Sequence, residues 1–200
     1  MNKLSFAILS AAGVAAFGVP ALAQISGGPG YQGLNFVEAV KDRDGDKAQQ
    51  ALGDNPTPAI INARDGDGNT GLIIAVARRD PDWTGFLLNK GADPDLAAEK
   101  GGDTPLIIAA RIGFDQAVQW LLGMGAKVDA TNKMGETALI AAVQQRRIEI
   151  IRMLLAAGAD PDKTDTAQGF SARDYAQRDT RSREILQLIN AKKPKPASAH

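Results

Sequence analysis

Apolar residues in this chain come in short bursts at helical spacing, each ended by a turn residue and followed by a polar stretch. Residues 102–130, GDTPLIIAARIGFDQAVQWLLGMGAKVDA, contain one full unit. Leu106, Ile107, Ala109 and Ala110 make one apolar face of a helix. Thr104 stands before them as an N-cap, and Pro105 takes the first helical position, where its missing N–H costs nothing. Gly113 ends this helix. Asp115 then reads as the cap of a second one, which buries Ala117, Val118, Leu121 and Leu122 and stops before Gly125, a natural left-handed residue. Helices this short do not hold in water by themselves. The unit therefore has to stack on others like it.

The others are present. Gly68, Gly102, Gly135 and Gly169 lie 34, 33 and 34 residues apart, and Ala75, Ala109, Ala142 and Ala176 keep the same offsets. Leu87-Leu88, Leu121-Leu122, Leu154-Leu155 and Leu188-Ile189 stay in register, as do Gly91, Gly125 and Gly158. The period, with GNTGLIIAV, GDTPLIIAA, GETALIAAV and GFSARDYAQ opening the copies and GADPD, GAKVD and GADPD closing three of them, resembles the ankyrin repeat. Phe36–Val40 aligns with Leu72–Val76 and adds a degenerate first copy, followed by a long loop over 53–65.

The implied fold is an all-α ankyrin-repeat solenoid of about five helix-turn-helix repeats with finger loops. The repeats fall at 34–64, 65–98, 99–131, 132–165 and 166–190. Helix pairs are predicted at 34–41 with 46–52, 71–78 with 81–89, 105–112 with 115–123, 138–145 with 148–156, and 172–178 with 181–190. Two departures from the family pattern stand out. Ile73, Ile107 and Ile140 replace the usual turn histidine, so apolar contact replaces its hydrogen bonds. Arg79 and Arg146 stand where Gly113 sits in the central copy; a left-handed backbone there costs about 1 kcal/mol each.

Residues 1–23 read as a signal peptide: Lys3, an apolar run from Leu4 to Val19, and Ala21-Leu22-Ala23 as a small-x-small cleavage site. Residues 24–33 read as a flexible Gly-rich linker and 191–200 as a disordered tail. The leader looks bacterial, so the expected compartment is the periplasm. The chain has no Cys, which removes a lipoprotein anchor and a disulfide framework. Lys+Arg and Asp+Glu each number 23, and Lys3 is the leader's only charge, so the remainder is one unit acidic. Near-neutrality and export disfavour nucleic acid. No stable membrane insertion is expected.

Little in the sequence carries catalysis. His200 is the only histidine and lies in the tail, so no Ser–His or Cys–His couple and no His/Cys metal cluster can be assembled. The acidic runs Asp42–Asp46 and Asp65–Asn69 fail the calcium-loop spacing, which needs Gly at position six and Glu at twelve. Gly66 and Gly68 lack the strand-then-helix setting of a phosphate loop. No cofactor or metal is expected. Lys41, Arg78, Arg111, Arg146, Arg147 and Arg178 recur at first-helix ends, either as a basic stripe or as complements to the helix dipoles. Trp83 and Trp120 read as core.

The expected function is non-catalytic: a monomer binding a periplasmic protein partner through the concave ankyrin surface. By resemblance, the contact positions are Asp67, Asn69 and Arg78; Lys100, Asp103 and Arg111; Lys133, Met134, Glu136 and Gln144; and Phe170. Leu96 is a further apolar finger position. One alternative is an accessory or protective factor for a periplasmic enzyme. An alternative of a different class is a carboxylate-dependent hydrolase.

Overall fold

A computed structural model describes residues 29–191 except 55, 180 and 182. The leader, residues 24–28 of the linker, and the tail from 192 lie outside the described residues. The helices run in chain order: α1 Pro29–Asp42, α2 Gly45–Leu52, α3 Pro58–Ile61, α4 Gly71–Ala77, α5 Pro81–Asn89, α6 Pro105–Ile112, α7 Asp115–Gly123, α8 Ala138–Gln144, α9 Ile148–Ala156, α10 Ala172–Arg178 and α11 Arg183–Ala191. They form two stacked layers. First helices α1, α4, α6, α8 and α10 pack side by side, and second helices α5, α7, α9 and α11 pack behind them.

The repeat sequence explains each first helix. Thr70, Thr104 and Thr137 accept hydrogen bonds at Oγ1 from the amides of Ile73, Ile107 and Ile140, at 3.3, 3.3 and 3.2 Å. These bonds satisfy N-terminal donors that the helix leaves open. The same isoleucines are 4, 0 and 0 % exposed and fill the space between repeats. Ser171 uses a full capping box with Asp174. In the second layer Asp80 caps α5 ahead of Pro81 as expected. Asp115 does not cap α7: it is the first helical residue, and Phe114 at the cap position makes no side-chain bond.

Two segments differ from the sequence reading. Residues 29–33, expected as linker, belong to α1. Gly33 sits so close to Ala63 that a Cβ there would lie 2.6 Å from the alanine's. Tertiary packing thus overrides the poor helix propensity of glycine. The long loop over 53–65 contains α3, whose Ile60 and Ile61 are 4 and 3 % exposed and join the core. α5, α6, α7, α9 and α10 keep the expected bounds, and the ends of α2, α4, α8 and α11 shift by one or two residues.

The corners between paired helices show why arginine stands in place of glycine. Arg43, Arg79 and Arg146 have φ of 59, 56 and 53°, and Gly113 has 75°. Each arginine reaches the corresponding corner of the next repeat. Arg43 pairs with Asp80 at 2.9 Å. Arg79 donates to the carbonyls of Ile112 and Gly113 at 3.0 Å each. Arg146 Nε donates to Asp179 at 2.6 Å. The left-handed backbone is strained, and these cross-repeat bonds offset the strain.

Candidate functional site

The finger loops are narrow turns closed by isolated bridges between Arg64 and Thr70, Thr131 and Thr137, and Thr164 and Ser171. An acidic or amide side chain organises each of these turns. Asp65 Oδ1 accepts from the amides of Asp67 and Asn69, Asn132 Oδ1 from Met134 and Glu136, and Asp165 Oδ1 from Gln168 and Gly169. Local side-chain-to-backbone bonding of this kind is what Asp and Asn do in turns. The Asp65–Asn69 acidic run is therefore a turn scaffold. Among the described residues no group of three or more His, Cys, Asp or Glu could hold a metal ion.

Neighbouring fingers are joined by single backbone bonds: Glu99 to Gly68 O, Lys133 to Gly101 O and Thr166 to Met134 O, at 3.1, 2.9 and 2.8 Å. A second ladder runs along the loop bases. The amides of Asp93, Lys127 and Asp160 donate to Asn62, Asp95 and Asp129. Asp95 and Asp129, the last residues of two of the GADPD-like motifs, thus tie one repeat to the next, and Asn62 does the same for the first repeat.

Four of the predicted contact residues converge. Asn69, Arg78, Lys100 and Asp103 rim a groove of ≈ 410 Å³ where α4 and α6 meet the fingers. Its floor includes Ile73, Ile74, Ala77 and Ile108. Ala77 is exposed and Ile108 half-buried. An apolar floor inside a polar rim is the make-up of a side-chain receptor on a binding face. Lys100 leans to Asp67 at 2.6 Å, an exposed pair that opens at little cost. Arg78 donates to Lys41 O at 2.7 Å, so it closes the C-terminal end of the preceding first helix. Of the recurring first-helix cations, Arg78 thus meets a helix end in the neighbouring repeat rather than its own.

Arg111, Asp103 and Glu136 form a second centre. Arg111 donates to both Asp103 oxygens at 2.6 and 3.1 Å and to Glu136 at 2.6 Å. Asn132 Nδ2 bridges the same carboxylates at 2.7 and 3.0 Å. Burial pushes the Asp103 carboxyl up, but the bonds from Arg111 and Asn132 outweigh this and hold it below its ordinary value. A carboxylate clamped in this way has no proton to give near neutral pH. Asn132 was not legible as a site residue, although its offset from Asp65 and Asp165 marks it as the finger-turn residue of its repeat.

The remaining predicted residues are spread along the fingers. Lys133 Nζ donates to Glu99 O at 2.6 Å. Met134 is 56 % exposed, whereas Leu96 is half-buried. Gln144 is exposed at the end of α8. Phe170 packs edge-on against Tyr175, with centroids 5.6 Å apart. Trp83 and Trp120 are half-buried against the core and also line two shallow grooves of the second layer, which the core reading left unnoticed.

The family model for ankyrin repeats in three copies matches residues 36–132 and 72–165. An ankyrin repeat-containing protein of Treponema pallidum (strain Nichols) is 31 % identical over 143 residues, 72 % of this chain and 47 % of that protein. The mouse B-cell lymphoma 3 protein homolog is 31 % identical over 151 residues, 74 % of this chain and 33 % of that protein. An ANK repeat-containing protein nipk-1 of Caenorhabditis elegans is 34 % identical over 131 residues, 58 % of this chain and 21 % of that protein. The chain spans less than half the length of these relatives.

Proposed function

The chain belongs to the ankyrin-repeat family, and from that premise we propose that it is a non-catalytic binding module that holds a periplasmic protein partner on its concave face. Ankyrin repeats mediate protein–protein interaction, and the family is generally non-catalytic. The groove between α4 and α6 carries the reading, because it joins an accessible apolar floor to four polar rim residues drawn from two repeats. It accepts one apolar side chain of a partner, with Lys100 and Asn69 beside it for the partner's backbone or charges. Among the described residues no helix is long and apolar enough to cross a membrane.

The test is to fill the groove without touching the core. Ala77 is exposed at the last position of α4. Ala77→Arg should leave helicity and melting unchanged while weakening capture of the partner from periplasmic extract more than tenfold, roughly 1.4 kcal/mol or more. Unchanged capture by the folded variant would remove the groove from the binding surface. Arg111→Ala is not a clean probe of binding, since Arg111 is already engaged by Asp103 and Glu136.

Export is the second half of the proposal and rests on the small-x-small end at Ala23. The expected result is a periplasmic protein whose intact mass corresponds to an N-terminus at Gln24. A periplasmic product whose mass retains residues 1–23 would argue against cleavage there.

A further inference from the structure

Between α8 and α10, at the other end of the face that carries the groove, lies a pocket of ≈ 370 Å³ with a different character. Three guanidinium groups, Arg146, Arg178 and Arg181, line it with one carboxylate, Asp179. Asp179 accepts from Arg146 at 2.6 Å and stands 3.7 Å from Arg181 Nε. Among the lining residues a single carboxylate therefore stands beside three cations. Gln144 and Tyr175 complete the polar lining.

Arg178 differs from Arg78 and Arg111. Arg78 spends its donors on backbone carbonyls and Arg111 on carboxylates. Arg178 is exposed, and among the described residues it forms no ion pair. Its guanidinium lies 3.7 Å over the centre of the Phe170 ring. Phe170 packs edge-on against Tyr175, whose hydroxyl donates to Asp165 at 2.6 Å. The platform beneath Arg178 is thus fixed by a buried carboxylate of the finger turn. Stacking occupies the face of a guanidinium and leaves its N–H edge for a planar acceptor. Asp174, one turn back on α10, feels the Arg178 charge but makes no direct ion pair with it, so the N–H edge stays open. A fork held this way in a recess of three guanidiniums is a pre-organised receptor for a carboxylate.

We propose that this pocket binds the side-chain carboxylate of an acidic segment in the protein partner. The inference rests on the concave-face reading and names the chemistry of what is bound at that end of it. Val143 and Tyr175 offer apolar wall to the methylenes of a glutamate, and the Gln144 amide, which meets the Tyr175 hydroxyl with one N–H, keeps its second N–H and its oxygen for the adjoining peptide backbone.

The experiment titrates the purified protein at low ionic strength with a capped, dye-labelled hexaglutamate peptide, followed by anisotropy. Capped hexaglutamine and inorganic phosphate serve as comparisons. Hexaglutamate should bind and hexaglutamine should not, and binding should weaken as salt is raised. Arg178→Gln should weaken hexaglutamate by about fivefold or more with melting unchanged. Arg178→Lys, which keeps the charge but not the planar fork, should fall between the two. Arg181→Gln supplies a second variant should Arg178→Gln unfold, and it should weaken the peptide as well. Lys100→Gln, in the central groove, should leave hexaglutamate affinity within about twofold.

Three results would each overturn the proposal: no hexaglutamate binding, undiminished binding by the folded arginine variants, or phosphate competing as tightly as the peptide, which would mark a site for small anions. If the peptide behaves as expected while Ala77→Arg leaves partner capture intact, the groove fails and the acidic-segment pocket stands.

Discussion

Leu121→Ala is expected to destabilise the fold by about 2–5 kcal/mol, the range for truncating a buried leucine. Leu121 lies on α7, is 0 % exposed, and belongs to a helix packed against α5, α6 and α9. Removing its side chain loosens three helices at once and leaves a cavity in the middle of the stack. The same truncation in the last repeat should cost less, because a terminal repeat has one neighbour instead of two. Leu186 is a poor comparison, since it is only half-buried and burial would differ along with position. Ile189, 0 % exposed on α11, is the matched site. Ile189→Ala should fray the end of the chain and leave the central unfolding transition nearly in place. Urea titrations of both variants decide the matter: equal losses of global stability would argue against nearest-neighbour stacking as the basis of the fold.

The stack was legible in the sequence because it is built from local rules repeated in register. The Thr caps, Pro105 at the start of α6, the left-handed Gly113 and the apolar pairs of the second helices each state their role without reference to any distant residue. The first repeat was less legible. Gly33 reads as linker in sequence, and only contact with Ala63 across the α3 turn makes a small residue useful inside a helix. The face was readable in its parts and not in its pairings. Asn69, Arg78, Lys100 and Asp103 do meet in one groove. Arg111 and Lys133 instead spend their charge on groups of their own chain. Periodicity locates a side chain on a face; which partner it takes depends on residues about one repeat away, and those distances are not written in the pattern. The same holds for Arg178, whose stacking on Phe170 follows from the fold of the last finger.

Arg111→Ala is expected to destabilise the fold by about 2–3 kcal/mol at pH 7, through two carboxylates rather than through lost packing. Removing one partner of a buried ion pair costs about 3–5 kcal/mol. Here the Arg111 side chain is 35 % exposed, and water screens part of that loss. What remains in the variant is Asp103 and Glu136, with side chains 23 and 10 % exposed, bridged only by the Asn132 amide. In the native protein the Asp103 carboxyl is held low. Its contribution is therefore fully present above the unfolded value and is lost only as pH falls through the folded one, below about pH 4. In the variant the sign reverses. Without the guanidinium, burial and the neighbouring like charge both push the Asp103 carboxyl above its unfolded value. A raised acid destabilises the fold while it is ionised and ceases to do so once it takes up its proton. Stability of Arg111→Ala should thus recover as pH is lowered from 7 to about 5, a window in which the Asp103 contribution to the native protein stays constant. The gap between the two proteins in urea titrations should narrow by about 1 kcal/mol or more over that window. Adding Glu136→Gln to Arg111→Ala removes the repulsion directly and should recover much of the loss at pH 7. A gap that stays constant with pH, with no rescue by Glu136→Gln, would mean that Arg111 stabilises this finger by packing alone.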